Sequence, residues 1–203
     1  MSENSENGRE RRSAIERNTK ETQIRVEIAL DGSGVYEIDT GVAFFDHMLE
    51  SFSRHALFDL KIKARGDLDV DTHHTIEDVG IVMGQAFREA LGSAVGIRRF
   101  GQMTLPMAES KVEVTVDVSN RPFLLYQVDL VNDRIGSFDA TLTEDFLQAL
   151  SQNAGLDLHV ELRYGRNPHH VVEAIFKGLA RALRAAVEMD PKQSGLPTVK
   201  GAL

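Results

Sequence analysis

The sequence contains no cysteine and no tryptophan, and only 5 of its 203 residues are proline. The absence of cysteine excludes disulfides, thiolate metal sites and cysteine nucleophiles, so histidine and carboxylates are the only strong metal ligands available. No run of 18 apolar residues is present, and the first residues include no apolar signal segment. Lysine and arginine number 23 against 31 acids, without a basic run. We therefore expect a cytoplasmic protein that binds neither membranes nor nucleic acid.

The hydrophobic fraction of 42% is enough for one substantial core or two small ones. The alternation of apolar and polar residues from Gln23, the turn at Asp31–Gly34 and the strand that follows predict a β-hairpin. A helix is predicted over 44–56, a further strand over 57–65, and a strong helix from His73 to Leu91. The predicted divisions are a disordered arm over 1–12, a first half over 13–95, a second half over 96–190 and a tail over 191–203.

The second half repeats the order of the first. The segments 56–60 and 154–158 match at an offset of 98, and the two HHxxE segments match at an offset of 96. Near the first predicted strand of each half, Glu21 matches Glu109 at an offset of 88. Several matches in one order indicate two copies of an α+β unit. Each would have an antiparallel-rich sheet with helices on one face, so that the helical faces bury one another.

Four of the seven histidines form two adjacent pairs, each followed by a glutamate three residues after the second histidine: His73, His74 and Glu77, and His169, His170 and Glu173. At the start of a helix, this spacing lets the glutamate share a metal ion with either histidine. Adjacent imidazoles point in different directions, so one motif can serve two metals, or a metal and a neighbouring subunit. The dipole at the first turn is expected to favour the neutral, metal-binding imidazole.

Other residues are weaker candidates. His47 is a possible metal ligand from the preceding helix. Asp145 occupies the matching position 98 residues later, and it is interpreted equally well as a metal ligand or as an exposed acid on a helix. His159 lies in an alternating strand and is interpreted as structural. A site of imidazole nitrogen and carboxylate oxygen suits Mn²⁺, Fe²⁺ or Zn²⁺, and composition does not choose among them. Cations near these motifs would suit a phosphate on a small substrate; they are Arg99, Arg121, Lys177 and Lys200.

Taken together, several segments between Ala14 and Leu203 resemble the imidazoleglycerol-phosphate dehydratase family. The segments are FFDHM, DTHHTIEDVG, GIRRFG, VDVSNRPF, GRNPHHVVEAIFKGLARALR and PTVKGAL. The resemblance implies a lyase of histidine biosynthesis that converts D-erythro-imidazole-glycerol phosphate to imidazole-acetol phosphate and water. It further implies two Mn²⁺ ions that bind the substrate imidazole as imidazolate, and duplicated units with four-stranded sheets and helices between them. The subunits would form a shell of 24 with active sites between neighbours.

The resemblance also assigns residues. The family's metal ligands fall on His47, His73, His74, Glu77, His169, His170 and Glu173, with Asp145 at the position of an eighth. Its substrate contacts fall on Glu21, His47, His55, His73, Glu77, Arg99, Arg121, His169, Lys177 and the turn Val199-Lys200-Gly201, which makes the tail substrate-binding. The candidate catalytic acids are Glu21, Glu77 and Glu173. Glu21 is the candidate for proton transfer, with a metal-bound water as the alternative.

Three positions depart from the family pattern. Asp145 replaces a histidine found in many members, Ala108 replaces an aspartate in a PMDE-like segment, and Val199 replaces a serine or threonine. Two other functions fit the same residues. One is a dinuclear metallohydrolase of a phosphoester, and the other is a shell protein in which metal ions only join subunits.

Overall fold

The computed structural model describes residues 10–201 of the chain. Its helices are α1 Ala43–Ala56, α2 His73–Leu91, α3 Leu142–Ala154 and α4 Pro168–Val187. Its strands are β1 Arg12–Asn18, β2 Thr22–Ala29, β3 Tyr36–Asp39, β4 Asp59–Gly66, β5 Phe100–Met107, β6 Ser110–Asp117, β7 Phe123–Gln127, β8 Arg134–Ile135, β9 Phe138–Asp139 and β10 Asp157–Tyr164. No helix within residues 10–201 has both the length and the apolar character required to cross a bilayer.

The two halves build sheets of the same topology. The first sheet has the order β1-β2-β4-β3 and the second has the order β5-β6-β10-β7. In each sheet, two neighbouring pairs are antiparallel, and the short last strand is parallel to its neighbour. The expected α+β fold of two mixed, antiparallel-rich, four-stranded sheets is therefore confirmed.

The helices lie between the sheets and pack across the two halves. Helix α2 packs on β1 and β2, and α4 packs on β5 and β6. In addition, α2 contacts α3 and α1 contacts α4, so that a helix of each half covers a helix of the other. The inward residues of both sheets and all four helices form one continuous core. In it, Phe45 meets the rings of Phe146 and Phe176 edge-on. This shared core holds the starts of α2 and α4, with their histidine pairs, in fixed positions.

The predicted hairpin at Asp31–Gly34 is wrong. Strand β3 does not return along β2 but pairs with β4 in the parallel direction, after the crossover through α1. The turn is held against β4 because Asp59 Oδ1 accepts hydrogen bonds from the backbone N–H groups of Ser33 and Val35, at 2.8 and 2.9 Å. Alternation in the sequence determines which face of a strand is buried, but it does not determine which strand lies beside it.

Strands β1 and β5 were not expected, and both lie at sheet edges. An edge strand needs only one half-buried face, so its alternation is weak. Most of the predicted arm, residues 1–9, lies outside the described residues. At its end, however, Arg12 begins β1, and Arg11 Nη1 donates to the backbone oxygen of Val187 at 2.6 Å. The segment at the end of the predicted arm is therefore part of the fold.

Candidate active site

Each histidine pair lies at the start of a helix that is capped by the preceding loop. Asp71 Oδ1 accepts a hydrogen bond from the backbone N–H of His73 at 2.8 Å, and Asn167 Oδ1 accepts one from His169 at 3.0 Å. In α4, Pro168 occupies the first helical position, where its missing N–H costs nothing. The predicted starts of both helices are confirmed, and local capping fixes the direction in which the histidines leave the backbone.

In the first motif, His73 lies between two carboxylates. Its Nε2 is 3.7 Å from Glu77 Oε2, one helical turn along α2. Its Nδ1 is 3.5 Å from Asp145 Oδ2 on α3, which packs beside α2. Asp145 therefore lies at the first motif, but it faces the nitrogen opposite to the one that Glu77 approaches.

The neighbouring His74 has a different partner. Its Nδ1 lies 3.0 Å from Asp67 Oδ2 and 3.3 Å from Asp67 Oδ1. The hydrogen bond to Asp67 raises the pKa of His74, and the charge of Glu21 raises it further. The carboxylate of Asp67 acts against the helix dipole at His74, and the expectation that the neutral form is favoured there stays a prediction. Glu21 lies in the turn before β2, next to Thr22, which pairs with Gly66, the residue before Asp67.

In the second motif, the glutamate is buried and joins two partners. Glu173 is 7% exposed; its Oε2 lies 3.2 Å from His169 Nε2 and its Oε1 lies 2.7 Å from Lys177 Nζ. Burial raises the pKa of Glu173, but the hydrogen bond and charge of Lys177, together with His169, outweigh burial and lower it. Glu173 is therefore ionised near neutral pH, as a metal ligand must be.

His170 is held by Glu109, at the turn between β5 and β6. His170 Nδ1 lies 2.7 Å from Glu109 Oε2. Glu109 Oε1 accepts hydrogen bonds from the backbone N–H groups of Arg166 and Asn167, at 3.2 and 2.8 Å. The bond from Asn167, followed by that from His170, holds the pKa of Glu109 far below its usual range. A permanently charged carboxylate therefore fixes the loop before α4 and the second histidine together.

The helix α1 brings further predicted residues to the second motif. The ring of Phe44 meets His169 edge-on at 5.1 Å, which places the start of α1 beside α4. One turn later, His47 is exposed, with Nδ1 3.9 Å from Glu50 Oε2. At the other end of α1, burial lowers the pKa of His55, and the charges of Lys177 and Arg181 lower it further. His55 and Lys177 thus share one side of the second motif.

The other predicted substrate residues lie in a separate cleft of about 590 Å³. Arg99, Arg121, Val199 and Lys200 all line it. Arg99 is fixed by two hydrogen bonds to Asp117, of 2.6 and 2.9 Å, and a third to the backbone oxygen of Pro197. Three cations against one carboxylate leave the cleft positive, which suits a phosphate. Gly201 does not line this cleft but a neighbouring hollow.

The donor atoms of the two motifs suit a divalent metal ion. Ligands bound at about 2.1 Å and at right angles lie about 3 Å apart, so His169 with Glu173, and with a small adjustment His73 with Glu77, can each share an ion. Over residues 10–201, however, no group of three or more histidine or acidic side chains is arranged to hold a metal. Each motif therefore presents an incomplete ligand set.

Comparison with known proteins identifies the family. The model of the family described as "Imidazoleglycerol-phosphate dehydratase" matches residues 40–183. A protein of that name from Azorhizobium caulinodans is 54% identical over 95% of this chain and 98% of its own length. One from Geobacter metallireducens is 51% identical over 95% of this chain and 99% of its own. The chain belongs to the imidazoleglycerol-phosphate dehydratase family.

Solved structures of the family have the same fold. The imidazoleglycerol-phosphate dehydratase of Staphylococcus aureus is 38% identical, with a TM-score of 0.81 over 88% of this chain and 99% of its own. That of Pyrococcus furiosus, crystallised in complex with (S)-C348, is also 38% identical, with a TM-score of 0.81 over 93% of this chain and all of its own. The resemblance expected from the motifs is thus confirmed for sequence and fold.

Several residues of this family member's site were not predicted. Asp67 and Glu109 contact the second histidine of each pair, and Ser119 and Gln193 line the cleft. Only the match of Glu109 with Glu21 could have drawn attention to one of them, because isolated acids between elements are common. Asp117 and Ser119 lie within VDVSNRPF, a segment that carried the resemblance. Val199 lines the cleft, but a valine side chain has no hydroxyl to offer to a phosphate.

Proposed function

We propose that this protein dehydrates D-erythro-imidazole-glycerol phosphate to imidazole-acetol phosphate. The observation that carries the proposal is the duplicated arrangement of a histidine pair and a glutamate at two helix starts, in a chain of this family. The cleft of Arg99, Arg121 and Lys200 supports it, because a phosphorylated substrate needs a cationic anchor. Membership of this family favours the dehydratase over the metallohydrolase and the metal-joined shell, which the residues alone also fitted.

We propose two Mn²⁺ ions per site, with Zn²⁺ or Fe²⁺ as substitutes. The residues that would hold them are His47, His73, His74, Glu77, His169, His170 and Glu173, with Asp145 as an eighth candidate. When bound, the ions would supply Lewis acidity to the imidazole ring of the substrate. The incomplete ligand sets within residues 10–201 support a site formed between copies of the chain. The shell of 24 subunits is proposed from the family resemblance.

The residues of the chain have distinct tasks in the proposed reaction. Arg99, Arg121 and Lys200 bind the phosphate and so hold the ring end of the substrate in place. The C–O bond on the carbon attached to the ring breaks with its electron pair on oxygen, and the departing hydroxide takes a proton from solvent and leaves as water. The electrons of the substrate ring stabilise the carbon that it leaves. Glu21 removes the proton from the next carbon, and the resulting enol becomes the ketone. Glu21 suits this task because it is exposed in a turn, next to the strand pair that ends at Gly66 and Asp67.

The reaction itself is tested with purified protein, Mn²⁺ and substrate. We expect the ketone product to form without release of inorganic phosphate. Phosphate release would support the metallohydrolase instead. Metal binding with neither product would support the shell protein.

The role of Glu21 is tested by Glu21→Gln, which keeps the shape of the side chain but cannot accept a proton. We expect the loss of most turnover with unchanged manganese content. The matched control is Glu16→Gln, on the neighbouring strand β1, whose exposed carboxylate pairs with Asn18 and Arg25. Unchanged turnover in Glu21→Gln would remove this residue from the mechanism and leave a metal-bound water as the candidate.

The interface site is tested by sedimentation of protein with and without Mn²⁺. If ions lie between subunits, chelation and His74→Ala should both reduce the assembly. An intact assembly without metal would show that metal serves only the reaction. The cytoplasmic location expected from the sequence stays a prediction.

A further inference from the structure

The second histidine of each pair meets a carboxylate through the same ring nitrogen. Nδ1 of His170 lies 2.7 Å from Glu109, and Nδ1 of His74 lies 3.0 Å from Asp67. An ionised carboxylate only accepts hydrogen bonds, so the proton of each ring is held on Nδ1. Nε2 is then left with its lone pair free, which is the form that binds a metal ion. Both halves therefore prepare the same nitrogen for coordination.

The two carboxylates do not occupy matching positions of the duplicated units. The counterpart of Glu109 in the first half is Glu21, at an offset of 88. A register shift near the end of β10 makes Gly165, which lies against Ser110, the counterpart of Gly66, which pairs with Thr22. The counterpart of Asp67 is therefore Arg166, a basic residue whose backbone N–H is bonded to Glu109. The two halves thus reach one arrangement with different residues.

This difference has a consequence for Glu21. In the second half, the glutamate at this position is occupied by His170 and by two backbone N–H groups. In the first half, Asp67 takes the place beside His74. Within residues 10–201, the side chain of Glu21 has no hydrogen bond or ion pair. Glu21 directly precedes Thr22, which pairs with Gly66, the residue before Asp67. Glu21 therefore lies close to the site, and its carboxylate is not bonded to any of the described residues.

We propose that Glu109 and Asp67 are positioning residues, which hold His170 and His74 in the tautomer that offers Nε2 to a metal ion, and that this division of tasks leaves Glu21 free to transfer protons. The inference rests on the proposed function, since it concerns the metal site of that reaction. Carboxylates that orient a metal-bound histidine in this way typically affect metal affinity 10-fold to 100-fold when they are removed.

The hydrogen bonds of the Glu109 carboxylate to two backbone N–H groups and to His170 allow its positioning role to be tested with Glu109→Gln. The amide oxygen of the new glutamine should keep accepting from the backbone N–H groups of Arg166 and Asn167. If the amide rotated by half a turn, its NH₂ group would face these two N–H donors and leave them without an acceptor. The amide NH₂ then faces Nδ1 of His170, which must accept its hydrogen bond. The ring proton moves to Nε2 and blocks the nitrogen needed by the metal.

The experiment combines two measurements on metal-free protein. Calorimetric titration with Mn²⁺ gives the affinity, and ¹⁵N NMR of histidine-labelled protein gives the tautomer of each ring. We expect Glu109→Gln to weaken binding about 10-fold to 100-fold and to change the signals of His170 in protein that remains folded. Its unfolding temperature should fall, because the charge that binds the loop before α4 is lost. Asp67→Ala should do the same for His74, and it leaves the loop before α4 intact. The matched control is Glu113→Gln on β6, whose carboxylate faces Arg163 rather than a histidine.

The possible outcomes distinguish failure of the proposed function from failure of the positioning roles. Wild-type protein that does not bind Mn²⁺ would overturn the proposed function. Normal binding in wild type, with unchanged affinity and tautomer in both variants, would overturn the positioning roles alone. Glu21→Gln should keep wild-type Mn²⁺ affinity and His74 tautomer; a change in either would show that Glu21 shares the task of Asp67 and is not free.

Discussion

The packing of α2 on α3 yields a quantitative prediction at Gly80. This glycine lies on the face of α2 that meets α3, next to the backbone of Phe146, the residue after Asp145. A Cβ at this position would lie 2.7 Å from Phe146 O, 2.9 Å from Ala149 Cβ and 3.2 Å from Phe146 Cδ2. Ordinary contacts begin at 3.4 Å, so Gly80→Ala requires α3 to move by about 0.7 Å.

Two effects of opposite sign decide the outcome. Alanine is favoured over glycine inside a helix by about 1 kcal/mol. Overpacking a core costs about 1–3 kcal/mol, and here the upper part of that range applies, because the nearest atom is a backbone oxygen that cannot rotate away. We expect a net loss of about 1–2 kcal/mol, or roughly 2–8 °C for a chain of this length.

The measurement is the thermal unfolding midpoint of Gly80→Ala by circular dichroism, in metal-free protein. Gly195→Ala is the control, since a Cβ there meets no atom within 4 Å and should leave the midpoint unchanged. Because α3 carries Asp145, the movement should also separate Asp145 from His73, which a crystal structure of the variant would show. A Gly80→Ala protein as stable as wild type, or more stable, would refute the packing argument.

Three further predictions concern charge. Asp78 is 7% exposed and is bonded to Thr22 Oγ1 and Arg17, so Asp78→Asn should lower the free energy of unfolding in urea by about 2 kcal/mol. The control Glu27→Gln, at an exposed pair with Arg25, should lower it by less than about 1 kcal/mol. Equal losses in the two variants would contradict this prediction. The pKa values of Glu109, Asp59 and Glu173 are lowered on folding, so their stabilisation is complete above the ordinary glutamate value of 4.5 and is lost as pH falls below it. His74, whose pKa is raised, acts in the opposite direction and adds stability as pH falls through its folded pKa toward its ordinary value of 6.5. His55, whose pKa is lowered by burial, opposes this gain below 6.5. The largest fall of the midpoint is therefore expected below about pH 4.5, and equal midpoints at pH 3.5 and 7 would refute this. Lys200→Ala should raise KM for substrate about 10-fold and leave kcat nearly unchanged, because Lys200 lines the cationic cleft. The control Lys192→Ala, at an exposed lysine, should change neither constant. A fall in kcat alone would exclude a phosphate-binding role for Lys200.

Local features of the site were predictable from the sequence. The helix starting at His73 and ending at Leu91 was predicted to the residue, because its capping groups are neighbours in the chain. The contact of each glutamate with the first histidine of its pair follows from the helical repeat, which brings residues four apart together. The duplication was visible because the matched segments keep their order.

Tertiary structure decided the partners that lie far apart in the chain. Alternation did not reveal that β3 joins β4, since that choice depends on the crossover through α1 and on the bonds of Asp59 to the turn. Nor does spacing bring Glu109 to His170, 61 residues later, or Arg99 to the backbone of Pro197, 98 residues later. Such contacts arise only when two sheets close around a shared layer of helices, because the packing of that layer selects which polar groups meet at its edges.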